Sequence, residues 1–229
     1  MTISYVGAGA VSESTGAATP AYPAGLAAND ILILGICGDP DGAADGQGDF
    51  GGTVITTRTS GGILGQGCRI TLYWKRAVGT ESGTITTDDA GDATIANITA
   101  WRGCLVGATP IDQVASGGSA SQNTSVTLPA ITPSEENTMV ICWHTAGDNW
   151  AAENPIWSRL ASVTQPFDHL SAVGFHYEYT LVYGIKASTT DTLTGNLTQQ
   201  TSEDEANITI NLLNAEVIAP PPQIIFIGA

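Results

Sequence analysis

The sequence predicts an all-β protein: an antiparallel β-sandwich, jelly-roll-like, built from two pseudo-symmetric repeats. Three observations support this fold class. Apolar and polar residues alternate as they do in strands, no helix-length 3.6-residue pattern occurs, and the chain resembles itself at a spacing of about 107 residues. With 229 residues and 42% hydrophobic content, the chain is long enough to bury a substantial core.

Strand alternation is clearest in one segment of each half. The first segment has an apolar side, made of Cys68, Ile70, Leu72, Trp74 and Val78. Its other side consists of Arg69, Thr71, Tyr73 and Lys75. The corresponding apolar set in the second half is Tyr177, Tyr179, Leu181, Tyr183 and Ala187, with Glu178 and Thr180 on the opposite side. We predict that the apolar sides face the core and the other sides face solvent.

Four phrases recur in the same order, 106 to 110 residues apart. They are ISYVGAGAVSEST with IDQVASGGSASQNT, PAGLAANDILILGICGD with PAITPSEENTMVICWHTAGD, TLYWKRAVGT with TLVYGIKAST, and ANITAW with ANITIN. We predict repeats over residues 3–105 and 111–214. The intervening segment 102–114 lacks a flexible linker composition, which favours a single β-sandwich over residues 1–214. Two tandem immunoglobulin-sized sandwiches are the alternative.

The charge and the cysteine content of the chain indicate which kinds of partner it can bind and where it is made. Seven Lys and Arg against twenty-two Asp and Glu give a net charge of −15, so we expect no nucleic-acid binding. The start, MTISYVGAGAVSES, lacks the features of a signal peptide, and no apolar run has the length of a membrane span. We therefore expect synthesis in a cytoplasm and no membrane partner. In that reducing compartment, the scattered cysteines should be buried free thiols: Cys37, Cys68, Cys104 and Cys142.

An acidic, glycine-rich stretch, GDPDGAADGQGDFGG, follows the apolar run ILILGIC. Asp39, Asp41 and Asp45 are spaced somewhat like calcium ligands, but the EF-hand order and its final Glu are absent. The other interpretation is a solvated loop at a strand end. We predict no required cofactor, with calcium as the alternative.

The loop at the matching place in the second half combines aromatic and amide side chains. Trp150 and Trp157 lie near Asn149 and Asn154, and such residues stack on sugar rings and bond their hydroxyls. Trp side chains also cover the ends of sandwich cores, so glycan contact and packing both remain open. Trp74, Trp101 and Trp143 lie within strand patterns and are predicted to be packing residues.

Sequence motifs of catalysis are absent, since the chain has no G-x-S-x-G elbow, H-E-x-x-H or Walker loop. We therefore predict a protein that is not an enzyme.

Several phrases resemble a widespread group of tailed-bacteriophage and prophage structural proteins. These phrases are NDILIL, KRAV, ANITAWRG, PIDQV and a following PAITP, and together they extend over about residues 3 to 214. This sequence has Asn29-Asp30 where that group frequently has Gly-Asp. The resemblance implies a β-sandwich virion component without a catalytic site, and it does not distinguish the head of the particle from the tail.

The segment 215–229 has no counterpart in the first half. Pro220, Pro221 and Pro222 favour an extended conformation, and four large apolar residues follow them: Ile224, Ile225, Phe226 and Ile227. We predict that this Pro-rich tail contacts either its own sandwich or a neighbouring subunit.

These observations lead to one functional prediction and one alternative. We predict a non-enzymatic virion structural protein, an outer capsid decoration or cement protein, made in the bacterial host cytoplasm. Its expected partners are other virion proteins, either the major capsid protein or a tail protein, and copies of itself as a homo-oligomer. The alternative is a tail-associated, receptor-binding adhesin that uses the glycan-contact residues above.

Overall fold

The computed structural model describes residues 2–39, 46–60, 67–91, 93–118, 123–147, 153–157, 163–170, 177–186 and 192–215. These ranges contain fourteen strands and, as their only helical element, one 3-10 turn at Gly48–Phe50. Within them, no helix has the length and hydropathy needed to cross a bilayer. The strands are β1 (Ser4–Ala8), β2 (Ser12–Ser14), β3 (Ile31–Gly38), β4 (Thr53–Ser60), β5 (Cys68–Arg76), β6 (Thr94–Arg102), β7 (Ile111–Gly117), β8 (Asn123–Ile131), β9 (Thr138–Gly147), β10 (Glu153–Trp157), β11 (Thr164–Leu170), β12 (Tyr177–Lys186), β13 (Leu193–Glu203) and β14 (Glu205–Leu212).

The strands form three antiparallel sheets. Inner sheet 1 has the order β1-β6-β3-β5-β4, and β2 also pairs with β6. Inner sheet 2 has the order β11-β12-β9-β14-β7, and an outer sheet has the order β10-β13-β8. The predicted all-β antiparallel sandwich is therefore confirmed. Each inner sheet uses one contiguous half of the chain, whereas jelly-roll sheets take strands from both halves.

The central core lies between the two inner sheets. Ile33 and Ile70 from inner sheet 1 and Ile141 and Leu181 from inner sheet 2 belong to one buried cluster. Most of the predicted core-facing residues are in or against this cluster: Cys68, Ile70, Leu72, Trp74, Tyr179, Leu181 and Tyr183. Among the described side chains of this set, Val78 is the exception, since it is 71% exposed beyond the end of β5. The Tyr177 side chain and Ala187, also predicted to face the core, lie outside the described part of the structure. All four cysteines are buried and free, as predicted.

The outer faces of both inner sheets are also covered. Leu34 and Ile98 on inner sheet 1 pack with Phe50 and Ile85 from the connecting loops. Val140 and Val182 on inner sheet 2 pack with residues of the outer sheet. The prediction that these faces are solvent-exposed is wrong for four of the residues assigned to them, Arg69, Thr71, Glu178 and Thr180, whose exposed fractions are 7%, 2%, 1% and 0%. Coverage from both sides explains why β3 and β9 are buried along their whole length.

The two inner sheets share one strand order. The strand order is β1-β6-β3-β5-β4 in inner sheet 1 and, read from its first strand, β7-β14-β9-β12-β11 in inner sheet 2. Corresponding strands of the two halves therefore have corresponding neighbours. Asn29 and Asn137, just before β3 and β9, are the non-glycine residues with positive φ in the described ranges, at 73° and 56°. Asn tolerates this left-handed conformation better than most residues. The correspondence thus includes backbone conformation at the entry to the two central strands.

The sequence repeat itself is not confirmed, because one matched phrase is not structurally equivalent. ANITAW and ANITIN align Ala96 with Ala206 and Ile98 with Ile208. Ala96 and Ile98 lie on the outer face of inner sheet 1, whereas Ala206 and Ile208 lie in the central core. A one-residue difference in register turns every side chain to the opposite face. The repeat limits and the domain limits therefore stay predictions.

Candidate functional site

The predicted calcium ligands are only partly within the described residues. Asp39 directly follows β3 and is half-buried, whereas Asp41 and Asp45 lie outside the described ranges. No group of three or more His, Cys, Asp or Glu side chains that could hold a metal occurs in the part of the chain that the structure describes. Calcium binding therefore stays a prediction.

The second part of the acidic stretch, residues 46–52, packs against the protein. Phe50 is 1% exposed, and the backbone N–H of Asp49 donates to the Thr86 carbonyl at 2.9 Å. Lys75 Nζ donates to the Phe50 carbonyl at 2.8 Å and lies 4.6 Å from the centre of the Phe50 ring. A hydrogen bond and a cation–π contact thus hold this segment on the outer face of inner sheet 1. The solvated-loop interpretation is therefore wrong for Phe50, whereas Gly48, Asp49 and Gly51 are exposed.

Two of the four predicted glycan-contact residues lie in the outer sheet. Asn154 and Trp157 belong to β10, which pairs with β13 at the edge of that sheet. Asn149 and Trp150 lie outside the described ranges. By contrast, the prediction that Trp101 and Trp143 are packing residues is confirmed, since both are fully buried.

A groove lies between two edge strands and exposes apolar side chains. β4 ends inner sheet 1 and β7 ends inner sheet 2, and the two strands lie side by side. The edge groove between them encloses about 340 Å³. Its lining consists of Thr53, Val54, Ile55, Trp74, Thr109, Ile111, Asp112 and Val114. Val54 is 54% exposed and Val114 is 43% exposed, so two large apolar side chains face solvent here.

Polar contacts limit the edge groove at its two ends. At the end of the groove where β7 ends, Arg58 Nε on β4 donates to the Gly117 carbonyl at 3.1 Å. At the other end, Asp112 Oδ2 accepts the backbone N–H of Ser134 at 2.7 Å and Asn211 Nδ2 at 3.2 Å. Burial alone would raise the pKa of Asp112, but these hydrogen bonds bring it below its ordinary value. Asp112 is therefore a charged but hydrogen-bonded group at the groove wall.

The described chain ends beside the edge groove. The Leu213 N–H donates to the Pro110 carbonyl at 2.7 Å, and the Ala215 N–H donates to the Gly103 carbonyl at 3.0 Å. Pro110 immediately precedes Ile111, which lines the groove. The predicted contact residues of the tail, Ile224 to Ile227, follow Ala215 and lie outside the described ranges.

A polar row crosses inner sheet 2, from Asp168, which is exposed on the edge strand β11, to three buried residues. Strand pairing places Asp168, Thr180, His144 and Asn207 next to one another. The Thr180 hydroxyl lies 2.5 Å from Asp168 Oδ1, and His144 Nδ1 lies 2.6 Å from Asn207 Oδ1. Burial lowers the pKa of His144 to about 4, although the Asn207 hydrogen bond opposes this effect. His144 is thus a neutral, enclosed imidazole that crosslinks strands β9 and β14.

Sequence reasoning missed both the edge groove and the polar row. The groove combines Val54 and Val114, which are far apart in the chain and meet only because two sheets end at the same side. The polar row had a partial signal, since His144 interrupts the apolar run of β9. A buried His in such a strand requires a hydrogen-bond partner from a neighbouring strand.

A scan against protein-family models finds no match, and searches of the curated proteins and of the solved structures find none either.

Proposed function

We propose that this chain is a non-enzymatic structural protein of a bacteriophage virion, an outer capsid decoration or cement protein. The observation that carries the proposal is the edge groove: two edge strands, an apolar lining and the start of the tail meet at one side of the sandwich. A free edge with apolar side chains favours association with another chain. The resemblance of NDILIL, AWRG and PIDQV to phage structural proteins supplies the context.

The arrangement of layers supports a structural role. The central strands β3 and β9 are buried on both faces, so the described sandwich presents loops, the outer sheet and the edge strands to its surroundings. His144, the imidazole of the polar row, is fully buried, which suits stabilisation better than chemistry on a substrate. The net charge of −15 favours solubility of the free subunit before assembly.

Purified particles provide the test. Mass spectrometry and a side-chain-resolution reconstruction should find this chain on the outside of the virion. A copy number comparable with that of the major capsid protein would support the decoration role, and one comparable with a tail-tip protein would move the proposal to the tail. Absence from purified particles would overturn the virion role.

A tail-associated, glycan-binding adhesin is the second candidate. The observation that favours it is the position of Asn154 and Trp157 on β10, the edge strand of the outermost layer. A glycan array with the intact protein should then show binding to host polysaccharides, reduced in Trp150→Ala and Trp157→Ala. Trp74→Ala, at a partly buried position against the central core, serves as the comparison for general destabilisation. Binding that is absent, or unchanged in both loop variants, would exclude this site.

Calcium binding by Asp39, Asp41 and Asp45 is tested separately. An ion that binds only the native state raises the apparent stability, so the melting temperature should be higher in excess calcium than in chelator. Equal melting temperatures would remove the calcium site without affecting the structural role.

A further inference from the structure

We propose that the edge groove of one copy binds the C-terminal segment of a second copy, residues 216–229, with Ile224–Ile227 as the apolar anchor. This inference concerns self-association of the purified chain and goes beyond its location in a virion. It rests on the form of the groove, the place where the described chain ends, and the distribution of charge.

The edge groove has the features of a site for an added strand. β4 and β7 each end their sheet, and no described strand pairs with their outer sides, so an extended segment can add a strand there. Val54 and Val114 offer exposed apolar surface on either side, and Trp74 lines the groove between the strands. An extended apolar segment would gain both backbone hydrogen bonds and burial of side chains.

The C-terminal segment has the matching chemistry. Ile224, Ile225, Phe226 and Ile227 form its apolar run, and residues 217–229 contain no charged side chain. The rest of the chain carries most of the net charge of −15, so two copies repel each other over most of their surfaces. A neutral segment can approach the groove of another copy without that repulsion.

The spacing favours the groove of a second copy over the groove of the same copy. The described chain ends at Ala215, whose N–H donates to Gly103, and Leu213, two residues earlier, contacts Pro110 beside the groove residue Ile111. Ile111 and Val114 are three residues apart on β7, so this part of the groove extends roughly 10 Å. The step from Ala215 to Ile224 is nine residues, or about 28 Å at the rise of a polyproline helix. Because proline favours extended backbone, Pro220–Pro222 disfavour the reversal that would return Ile224–Ile227 to the groove of the same copy.

Such a contact is head-to-tail. The groove of one copy and the segment of the next are different surfaces, so repetition produces a ring where the rotation closes and a chain where it does not. The free protein should therefore show concentration-dependent association, to a dimer where two copies exchange segments and to larger species where they do not.

Disulfide crosslinking of the full-length chain tests the contact directly. Val114→Cys protein and Phe226→Cys protein are mixed, oxidised and separated on a non-reducing gel. We expect a Val114→Cys/Phe226→Cys heterodimer, identified by mass. Val78→Cys mixed with Phe226→Cys is the matched control, because Val78 is 71% exposed and lies outside the groove. The control should form at least tenfold less heterodimer.

Two results would overturn the proposal. An internal disulfide in the Val114→Cys/Phe226→Cys double variant, without heterodimer in the mixture, would place the segment in its own groove. Equal crosslinking at Val78 and Val114 would show that the segment does not select the groove.

Sedimentation provides a second readout that does not depend on disulfide chemistry. Val114→Asp and Phe226→Asp should each weaken self-association by about tenfold or more, because each introduces a charge at a buried apolar contact. Val78→Asp should leave it unchanged. Unchanged association in both Val114→Asp and Phe226→Asp would exclude the contact, and far-ultraviolet circular dichroism would verify that each variant is folded.

Discussion

Asp30 and Arg102 form a two-bonded ion pair between the start of β3 and the end of β6. Arg102 Nε lies 2.8 Å from Asp30 Oδ1, and the terminal nitrogen lies 2.7 Å from Oδ2. The Asp30 side chain is 2% exposed and the Arg102 side chain is 44% exposed. Asp30 also accepts the Ala27 N–H, and Arg102 also donates to the Gly25 carbonyl. The pair therefore connects NDILIL and AWRG, two phrases that lie far apart in the sequence.

Removal of Arg102 should destabilise the fold more than removal of both charges. Arg102→Ala leaves a buried carboxylate without its cation, which is more costly than the absence of the whole pair. In Asp30→Asn/Arg102→Ala, the amide oxygen still accepts the Ala27 N–H and no charge is buried. We expect a higher urea midpoint for the double variant than for Arg102→Ala. The opposite order would show that the buried carboxylate is solvated without Arg102.

Both faces of β3 should contribute equally to stability. Ile33 faces the central core and Leu34 faces the outer cluster, and both are fully buried. Replacement of either by Ala should lower the free energy of unfolding by about 2 to 5 kcal/mol, because each leaves a cavity. Val78→Ala, at an exposed position, should change it by about 0.5 kcal/mol or less. A Leu34→Ala effect as small as that of Val78→Ala would contradict the covered outer face.

Gly35 should not tolerate a side chain. A Cβ built at this position would collide with the Tyr179 hydroxyl and would lie 3.1 Å from Trp143 Nε1. Both aromatic residues belong to the central core and cannot move freely, so Gly35→Ala should cost about 1 to 3 kcal/mol. Gly7→Ala is the control, since no atom lies within 4 Å of its Cβ position. Chemical denaturation measures both, and equal stability of the two variants would show that the core adjusts.

His144 and Glu205 are both buried, and they should make the free energy of unfolding depend on pH in opposite directions. Burial lowers the pKa of His144 from 6.5 to about 4. As pH falls, the unfolded state therefore binds a proton at His144 before the folded state does. This residue thus destabilises the fold as pH falls from 6.5 to 4. Burial raises the pKa of Glu205 from 4.5 to about 7, although a hydrogen bond from Asn207 opposes this. The folded state then holds the Glu205 proton longer, so this residue stabilises the fold as pH falls from 7 to 4.5.

Single substitutions separate these two contributions. The stability advantage of the wild type over Glu205→Gln should increase as pH falls from 7 to 4.5. The stability advantage of the wild type over His144→Gln should decrease as pH falls from 6.5 to 4. Urea unfolding at a series of pH values measures both differences. Curves that stay parallel to the wild type would show that the substituted group has the same pKa in both states.

The sequence by itself determined the β class and the faces that form the central core. Alternation with a period of two is a local property of a strand, so Ile70, Leu72 and Leu181 could be assigned to one side without knowledge of the fold. The burial of Trp101 and Trp143 was predictable for the same reason. Cys37 and Cys68 were also assigned correctly as buried thiols, because no spacing of metal ligands accompanied them.

Only the tertiary structure decided what covers the other faces and where a binding surface lies. Thr180 was predicted to face solvent, yet a third layer buries it and the Asp168 carboxylate satisfies its hydroxyl. The matched ANIT phrases occupy opposite faces because register depends on the partner strand. Val54 and Val114 line one groove because the ends of two sheets coincide. Burial depends on which distant elements meet, and periodicity within one strand contains no information about that meeting.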